Sequence, residues 1–191
     1  MGGFQQFKDC IHSKTNLNSE HIDPLLNIFS LQNLNVQDHL FEVGKENKII
    51  GFVCEGILSS YVLDTDGNEN ILFFSMENDL IIGNLSPEMK CSFSKQSLTK
   101  SIVLTANYKE YLEYINKEQK LLAFHNDFLE NIHNKIKGRI SKDFFSNAQK
   151  KYETFLTDYP GLLNRIPHYH IANYLGITPT QLSRIRKSFF R

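Results

Sequence analysis

The stretch His168-Tyr-His-Ile-Ala-Asn-Tyr-Leu-Gly-Ile-Thr-Pro-Thr-Gln-Leu-Ser-Arg-Ile-Arg-Lys187 decides how this chain is read. Ile171, Ala172 and Leu175 make the apolar stripe of one short helix, at i, i+1 and i+4 spacing. Gly176 follows where a tight turn between helices needs left-handed backbone, which a residue without Cβ adopts at no steric cost. Thr178-Pro-Thr-Gln181 opens a second helix, with Thr178 as N-cap, Pro179 at the first helical position and Gln181 reaching back as in a capping box. Leu182 and Ile185 bury that helix, and Ile177 plugs the corner. Thr180, Gln181, Ser183, Arg184 and Lys187 are left facing outward, and Ala172 is small where two helices cross closely. The pattern is a helix-turn-helix. An ordinary helical hairpin in a core shares the glycine turn and the apolar spacing, but nothing in it calls for a basic, polar outer face.

Charge supports the same reading. The net charge is zero, but it is unevenly laid out. Residues 1–132 carry 10 lysines and no arginine against 18 acids, a net of −8; residues 133–191 carry 11 lysines and arginines against Asp143, Glu153 and Asp158, a net of +8. One strongly basic end is the electrostatic footprint of a nucleic-acid binder.

The chain has 191 residues, 41% hydrophobic and 22% charged, as in a globular protein of one large domain or a medium one with a small partner. No apolar run approaches the ~18–20 residues of a membrane span. The start, Met1-Gly-Gly-Phe-Gln-Gln-Phe, lacks the basic and apolar regions of a secretory signal. Cys10, Cys54 and Cys91 are odd in number and widely spaced, which argues against a disulfide framework and for a reducing, cytoplasmic setting.

Ahead of the basic end, the spacing predicts helices over 4–12 and about 19–30. From about Leu31 to Asn107 short β-rich runs follow one another, at 39–43, 49–54, 57–63, 69–75, 80–82 and 96–106, with Asp66-Gly67 marking the clearest hairpin. About eight short strands at near-regular spacing predict a sandwich or barrel of the jelly-roll kind. Tyr108 to about Phe145 reads as helix, with Leu122, Leu129 and Ile136 every seven residues and Leu121, Phe128, Ile132 and Ile140 widening the stripe. Such a seam predicts packing on a second helix, as in a dimer, with part of the stripe on the chain's own barrel. Gly138 is a candidate hinge, and a further helix is expected from Asn147 to Tyr159.

A β-rich barrel, a long helix and a C-terminal helix-turn-helix, in that order, resemble the cyclic-AMP receptor protein (CRP/FNR) family of transcription regulators. Ile166 to Lys187 carries the resemblance most specifically, and Glu55-Gly56, Asp66-Gly67-Asn68, Asn78-Asp79 and Ile82-Gly83-Asn84-Leu85 add to it. The resemblance implies an α+β chain: a jelly-roll, cyclic-nucleotide-binding-like sensor over residues 1–115, a dimerisation helix over 116–145 and a DNA-binding domain over 146–191. It also implies a homodimer on a palindromic duplex DNA operator, with half-sites about one DNA turn (~34–36 Å) apart, and RNA polymerase and a small-molecule effector of unknown identity as further partners. By the same resemblance Thr180, Ser183 and Arg184 fall where bases are read. Arg184 is the candidate for a bidentate guanine contact, and Thr178, Gln181, Arg186, Lys187, Arg191 and His170 complete the set, mostly as phosphate contacts. Leu122, Phe128, Leu129, Ile132 and Ile136 fall on the dimer helix.

This sequence departs from the family's cyclic-nucleotide cassette. The glutamate expected for the ribose stands here as Asn84, and the arginine expected for the phosphate falls at Cys91-Ser92. No arginine precedes Arg139, and Lys90 or Lys95 lacks the planar fork that grips phosphate. Gly83, Asn84, Leu85, Cys91 and Ser92 therefore read as a degenerate effector pocket. Many relatives carry an acid where Thr180 stands, and a β-wing beyond the last helix that has no counterpart after Lys187. No cofactor or metal is expected. His168 and His170 lack a Cys or carboxylate partner, only His39 falls among the strands, and no nucleophile elbow, P-loop or paired catalytic carboxylates occur. An enzyme is not expected. The other reading is a β-barrel sensing or scaffolding module whose helix-turn-helix serves protein interaction.

Overall fold

A computed structural model describes residues 2–145 and 147–189, with side chains described outside 138–145 and 189. It is an α+β structure of two compact units, one formed by residues 1–60 and 74–133, the other by 61–73 and 134–191.

Along the chain, helices α1 (Gly2–Thr15) and α2 (Ser19–Leu26) precede the strands β1 (Ser30–Leu34), β2 (His39–Phe41), β3 (Ile49–Glu55), β4 (Leu58–Leu63), β5 (Glu69–Ser75), β6 (Leu80–Ile82), β7 (Ser94–Ser97) and β8 (Ser101–Asn107). The strands form two four-stranded sheets, ordered β1-β8-β3-β6 and β2-β7-β4-β5. Pairing is antiparallel at β1–β8, β3–β8, β3–β6 and β2–β7, with Phe52 opposite Leu104 and Leu80.

The hydrophobic core lies where α1, α2 and α3 (Tyr108–Ile115) cover the first sheet. Phe7 stacks on Phe52 at 4.3 Å between ring centroids and meets Phe29 edge-on at 5.1 Å. Each such aromatic, once buried, contributes about 1.5–3 kcal/mol. The second sheet has a polar centre. Lys95 on β7 is fully buried, and its Nζ donates to Ser60 Oγ on β4 at 2.8 Å and Ser75 Oγ on β5 at 2.7 Å. A lysine is almost never placed there without such partners.

Two elements differ from the sequence expectation. The run 96–106 is not one strand. β7 and β8 are separated by a turn at 98–100, in which Thr99 Oγ1 accepts the Ile57 N–H at 2.9 Å and Ser97 Oγ donates to the Thr99 carbonyl at 2.7 Å. The helix expected over 108–145 is also two. α3 ends at Asn116, and α4 (Gln119–Phe145) restarts with Glu118 Oε1 accepting the Lys120 N–H. Tyr108, Tyr111 and Ile115 bury one face of α3. α4 then runs through Gly138 without interruption.

Candidate nucleic-acid interface and effector loop

The second unit contains α5 (Ala148–Asp158), a 3-10 turn at Leu162–Asn164, α6 (His168–Leu175) and α7 (Pro179–Phe189). Asn147 caps α5 by accepting the Lys150 N–H. Phe155, Tyr159 and Tyr174 pack ring against ring beneath α6, with centroids 5.6–5.8 Å apart. On α6, Ile171, Ala172 and Leu175 are buried. Gly176 takes φ 67° and ψ 35°, and the chain returns through the Ile177 N–H, which donates to the Ala172 carbonyl at 3.0 Å. The capping box is present in full: the Thr178 N–H donates to Gln181 Oε1 at 2.9 Å, and the Gln181 N–H donates to Thr178 Oγ1 at 3.2 Å.

α7 is anchored by buried Leu182 and half-buried Ile185, which leaves Thr178, Thr180, Gln181, Ser183, Arg184 and Lys187 exposed together. Arg186 and His170 are placed differently. Arg186 is half-buried and bonds to the His168 ring at 2.9 Å, tying α7 back to the start of α6. His170 lies against the Tyr169 ring, with centroids 4.0 Å apart and the planes tilted by 39°, and burial holds its imidazole below the ordinary histidine range. A neutral ring is a weaker phosphate partner than a cation. Arg191 and the side chains of Arg139 and Ile140 lie outside the described residues.

On α4, Leu121, Phe124 and His125 are buried in the first unit, and Leu122, Phe128, Leu129 and Ile132 pack against the same core while staying partly exposed. Ile136 is likewise half-buried. His125 is buried against the Tyr108, Tyr111 and Phe128 rings. Burial pushes the imidazole down to about 4, and its Nδ1 sits 3.4 Å from the Tyr111 hydroxyl.

The loop between β6 and β7 contains Gly83, Asn84, Leu85, Cys91 and Ser92. It is closed on itself by residues that local sequence does not single out. Asn47 is buried; its Nδ2 donates to the Asn84 and Ser86 carbonyls at 2.9 and 2.8 Å, while its Oδ1 accepts the Gly83 N–H at 3.1 Å. Asn84 Nδ2 crosses the loop to the Lys90 carbonyl and Ser92 Oγ, at 2.9 and 2.7 Å. The Leu85 N–H donates to Asn84 Oδ1, the Cys91 N–H to the Lys45 carbonyl and the Ser92 N–H to the Gly83 carbonyl. Tyr108 donates its hydroxyl to the Leu85 carbonyl at 2.9 Å. Burial raises the Cys91 thiol, so it is a weak nucleophile. The Gly83, Leu85, Cys91 and Ser92 amides are thus already engaged, and Lys95 donates to the two serines. Nothing marks Asn47 in the sequence; its partners lie 36–39 residues away.

Among the described residues, no group of three or more His, Cys, Asp or Glu gathers as metal ligands, and no helix is long and apolar enough to cross a membrane.

No family model and no curated protein matches the sequence. Solved structures match the fold closely. The chain is similar to FixK2 from Bradyrhizobium japonicum (TM-score 0.76, 14% identity, 85% of each chain covered). It is similar to the c-di-GMP-responsive global regulator CLP from Xanthomonas campestris (TM-score 0.70, 14% identity, 90% of this chain and 91% of that one). A transcriptional regulator of the CRP/FNR family from Eubacterium rectale also matches (TM-score 0.67, 15% identity, 91% of this chain and 84% of that one). The fold is thus shared with a solved structure of the CRP/FNR family and with those of CLP and FixK2.

Proposed function

We propose that this chain is a sequence-specific, duplex-DNA-binding transcription regulator of the CRP/FNR type that acts as a homodimer and does not respond to cyclic AMP. The observation that carries the reading is the α6–α7 pair. A left-handed glycine turn and a capped second helix hold Thr180, Gln181, Ser183, Arg184 and Lys187 exposed on one short helix, in a fold shared with a transcriptional regulator of the CRP/FNR family. In this reading α6–α7 is a helix-turn-helix, the two sheets form a jelly-roll sensor, and α7 enters the major groove with Arg184 on guanine and Lys187 on phosphate. Selection of bound sequences from random duplex DNA tests it. Enrichment of a palindrome with half-sites one turn apart is expected. A wild type that enriches no sequence rejects the reading and leaves the α6–α7 surface to protein interaction.

Dimerisation falls to the partly exposed stripe of Leu122, Phe128, Leu129, Ile132 and Ile136, which the core of one chain covers only in part. Sedimentation at micromolar concentration should give twice the 22.2 kDa of one chain. Ile132→Lys should bring the mass down to that of one chain; a wild type that sediments as a monomer removes this assignment.

The sensor is read as blind to cyclic AMP because the Gly83, Leu85, Cys91 and Ser92 amides of the loop that would hold the phosphate already donate to protein acceptors. A cyclic phosphate would have to break several of these bonds without an arginine to replace them. Titration with cyclic AMP should therefore release no heat of binding, and micromolar affinity in the calorimeter would overturn the point.

A further inference from the structure

Residues 61–73, the outer part of the β4–β5 hairpin, belong to the same compact unit as α5–α7. A single side chain provides two of the bonds that join them. Asn173 Oδ1 accepts the Ile71 N–H at 2.8 Å, and Asn173 Nδ2 donates to the Glu69 carbonyl at 2.6 Å. Glu69 and Ile71 are two apart on β5, so both groups leave the strand by the same edge. β5 is the outermost strand of its sheet. A primary amide offers the same donor and acceptor as a peptide group. Asn173 therefore bonds to the residues flanking Asn70 as one residue of a parallel strand would. Asparagine is a poor helix former, and this pairing accounts for its place in the middle of α6.

Both ends of the contact are connected to parts with a function. β5 continues through Phe74 to Ser75, whose hydroxyl holds Lys95. α6 leads within one turn to Gly176 and then to α7, whose outward residues remain exposed while the contact is made. The contact thus leaves the reading face uncovered, and what it fixes is the direction of the helix pair.

We propose that Asn173 is the pin of a conformational latch: the β4–β5 hairpin grips α6 through it and holds α7 pre-oriented for DNA. Its output rests on the DNA-binding function proposed above; the grip itself does not. Two neutral hydrogen bonds are strong enough to favour one orientation and weak enough to be released by a bound ligand, which is what a switch needs. Holding the reader in one orientation removes part of the ordering cost of binding.

The test is hydrogen–deuterium exchange and DNA binding on the full chain, comparing wild type with Asn173→Ala and Asn173→Asp. Alanine removes both bonds. Aspartate is the same size, keeps the acceptor for Ile71 and turns an oxygen toward the Glu69 carbonyl. In both variants the Ile71 amide should exchange at least about tenfold faster, with the Phe52 and Leu104 amides of β3 and β8 unchanged. Affinity for the selected duplex should fall at least about threefold, with unrelated duplex unaffected. Unchanged exchange at Ile71 overturns the latch, and so does faster exchange with equal or tighter binding to the selected duplex. A wild type that selects no duplex is a different failure: it removes the proposed function and the latch's output, whatever Ile71 does.

Discussion

Arg184→Ala is expected to weaken binding to a selected duplex by roughly five- to 150-fold, the ~1–3 kcal/mol that a good bidentate base contact supplies. Binding to unrelated duplex should change little, because only one of several cationic contacts is lost. Arg184 is fully displayed on α7, one residue past Ser183 and one turn past Thr180, while Leu182 on the opposite side anchors the helix. Lys187→Ala should behave differently. It should weaken selected and unrelated duplex by similar factors and lower the slope of log affinity against log salt by about one. Competition gel shifts at two salt concentrations separate the two patterns. Equal losses on both duplexes for Arg184→Ala would move that residue from base reading to phosphate positioning.

The second large effect is on stability, at Gly56. This residue turns β3 into β4 with φ +100°, a region that side chains other than glycine rarely enter. A Cβ there would stand 2.6 Å from Ser101 Cβ and 2.8 Å from Ser101 Cα, with Ser101 Oγ nearer still. Neither side of this close approach moves freely. The Gly56 N–H donates to Glu77 Oε1 at 2.9 Å, the Ile57 N–H to Thr99 Oγ1 at 2.9 Å, and Ser101 Oγ is bonded to Ser97 Oγ at 2.8 Å. Gly56→Ala therefore combines overpacking, about 1–3 kcal/mol, with left-handed strain of about 1–2 kcal/mol. The sum, roughly 2–5 kcal/mol, should lower the melting temperature by on the order of 10 °C. Adding Ser101→Gly removes the side-chain clash but leaves the backbone of residue 101 too near and the strain in place, so it should restore only part of the loss. Thermal melts of the three proteins decide it; a Gly56→Ala protein that melts with wild type shows that the corner has room to yield.

What was legible in the sequence is local. The turn at Gly176 and the Thr178–Gln181 capping box depend on residues within five positions of each other, and the structure reproduces both. The Asp64–Asn68 hairpin is equally local: Asp64 Oδ1 accepts the Asp66 and Asn68 N–H groups at 2.9 Å, and the Asn68 donors hold its carboxyl below the usual range. The break at 116–118 was hidden because the apolar period continues through it and neither glycine nor proline marks it. The turn at 98–100 was hidden for a related reason. Hydroxyl side chains stabilise it, and threonine and serine are also common in strands. Long-range pairings were beyond reach altogether. Asn47 and the loop it closes, Lys95 and its serines, and Asn173 with β5 are ordinary polar residues until the fold brings their partners to them; Asn173 and Ile71 are 102 positions apart. The same limit hides the burial of His125 in the sequence. Its helical period was clear, but the aromatic cover supplied by Tyr108 and Tyr111 of α3 was not.

The amide of Asn173 also has a protective effect. The outer strand of an open sheet offers a row of unpaired main-chain groups on which another chain can template itself, the usual first step in strand-mediated aggregation. A neighbouring strand would satisfy those groups but present a new row of its own. A helix side chain at the edge of β5 satisfies the Glu69 carbonyl and the Ile71 N–H and offers nothing further to pair with, so the sheet is terminated there instead of extended.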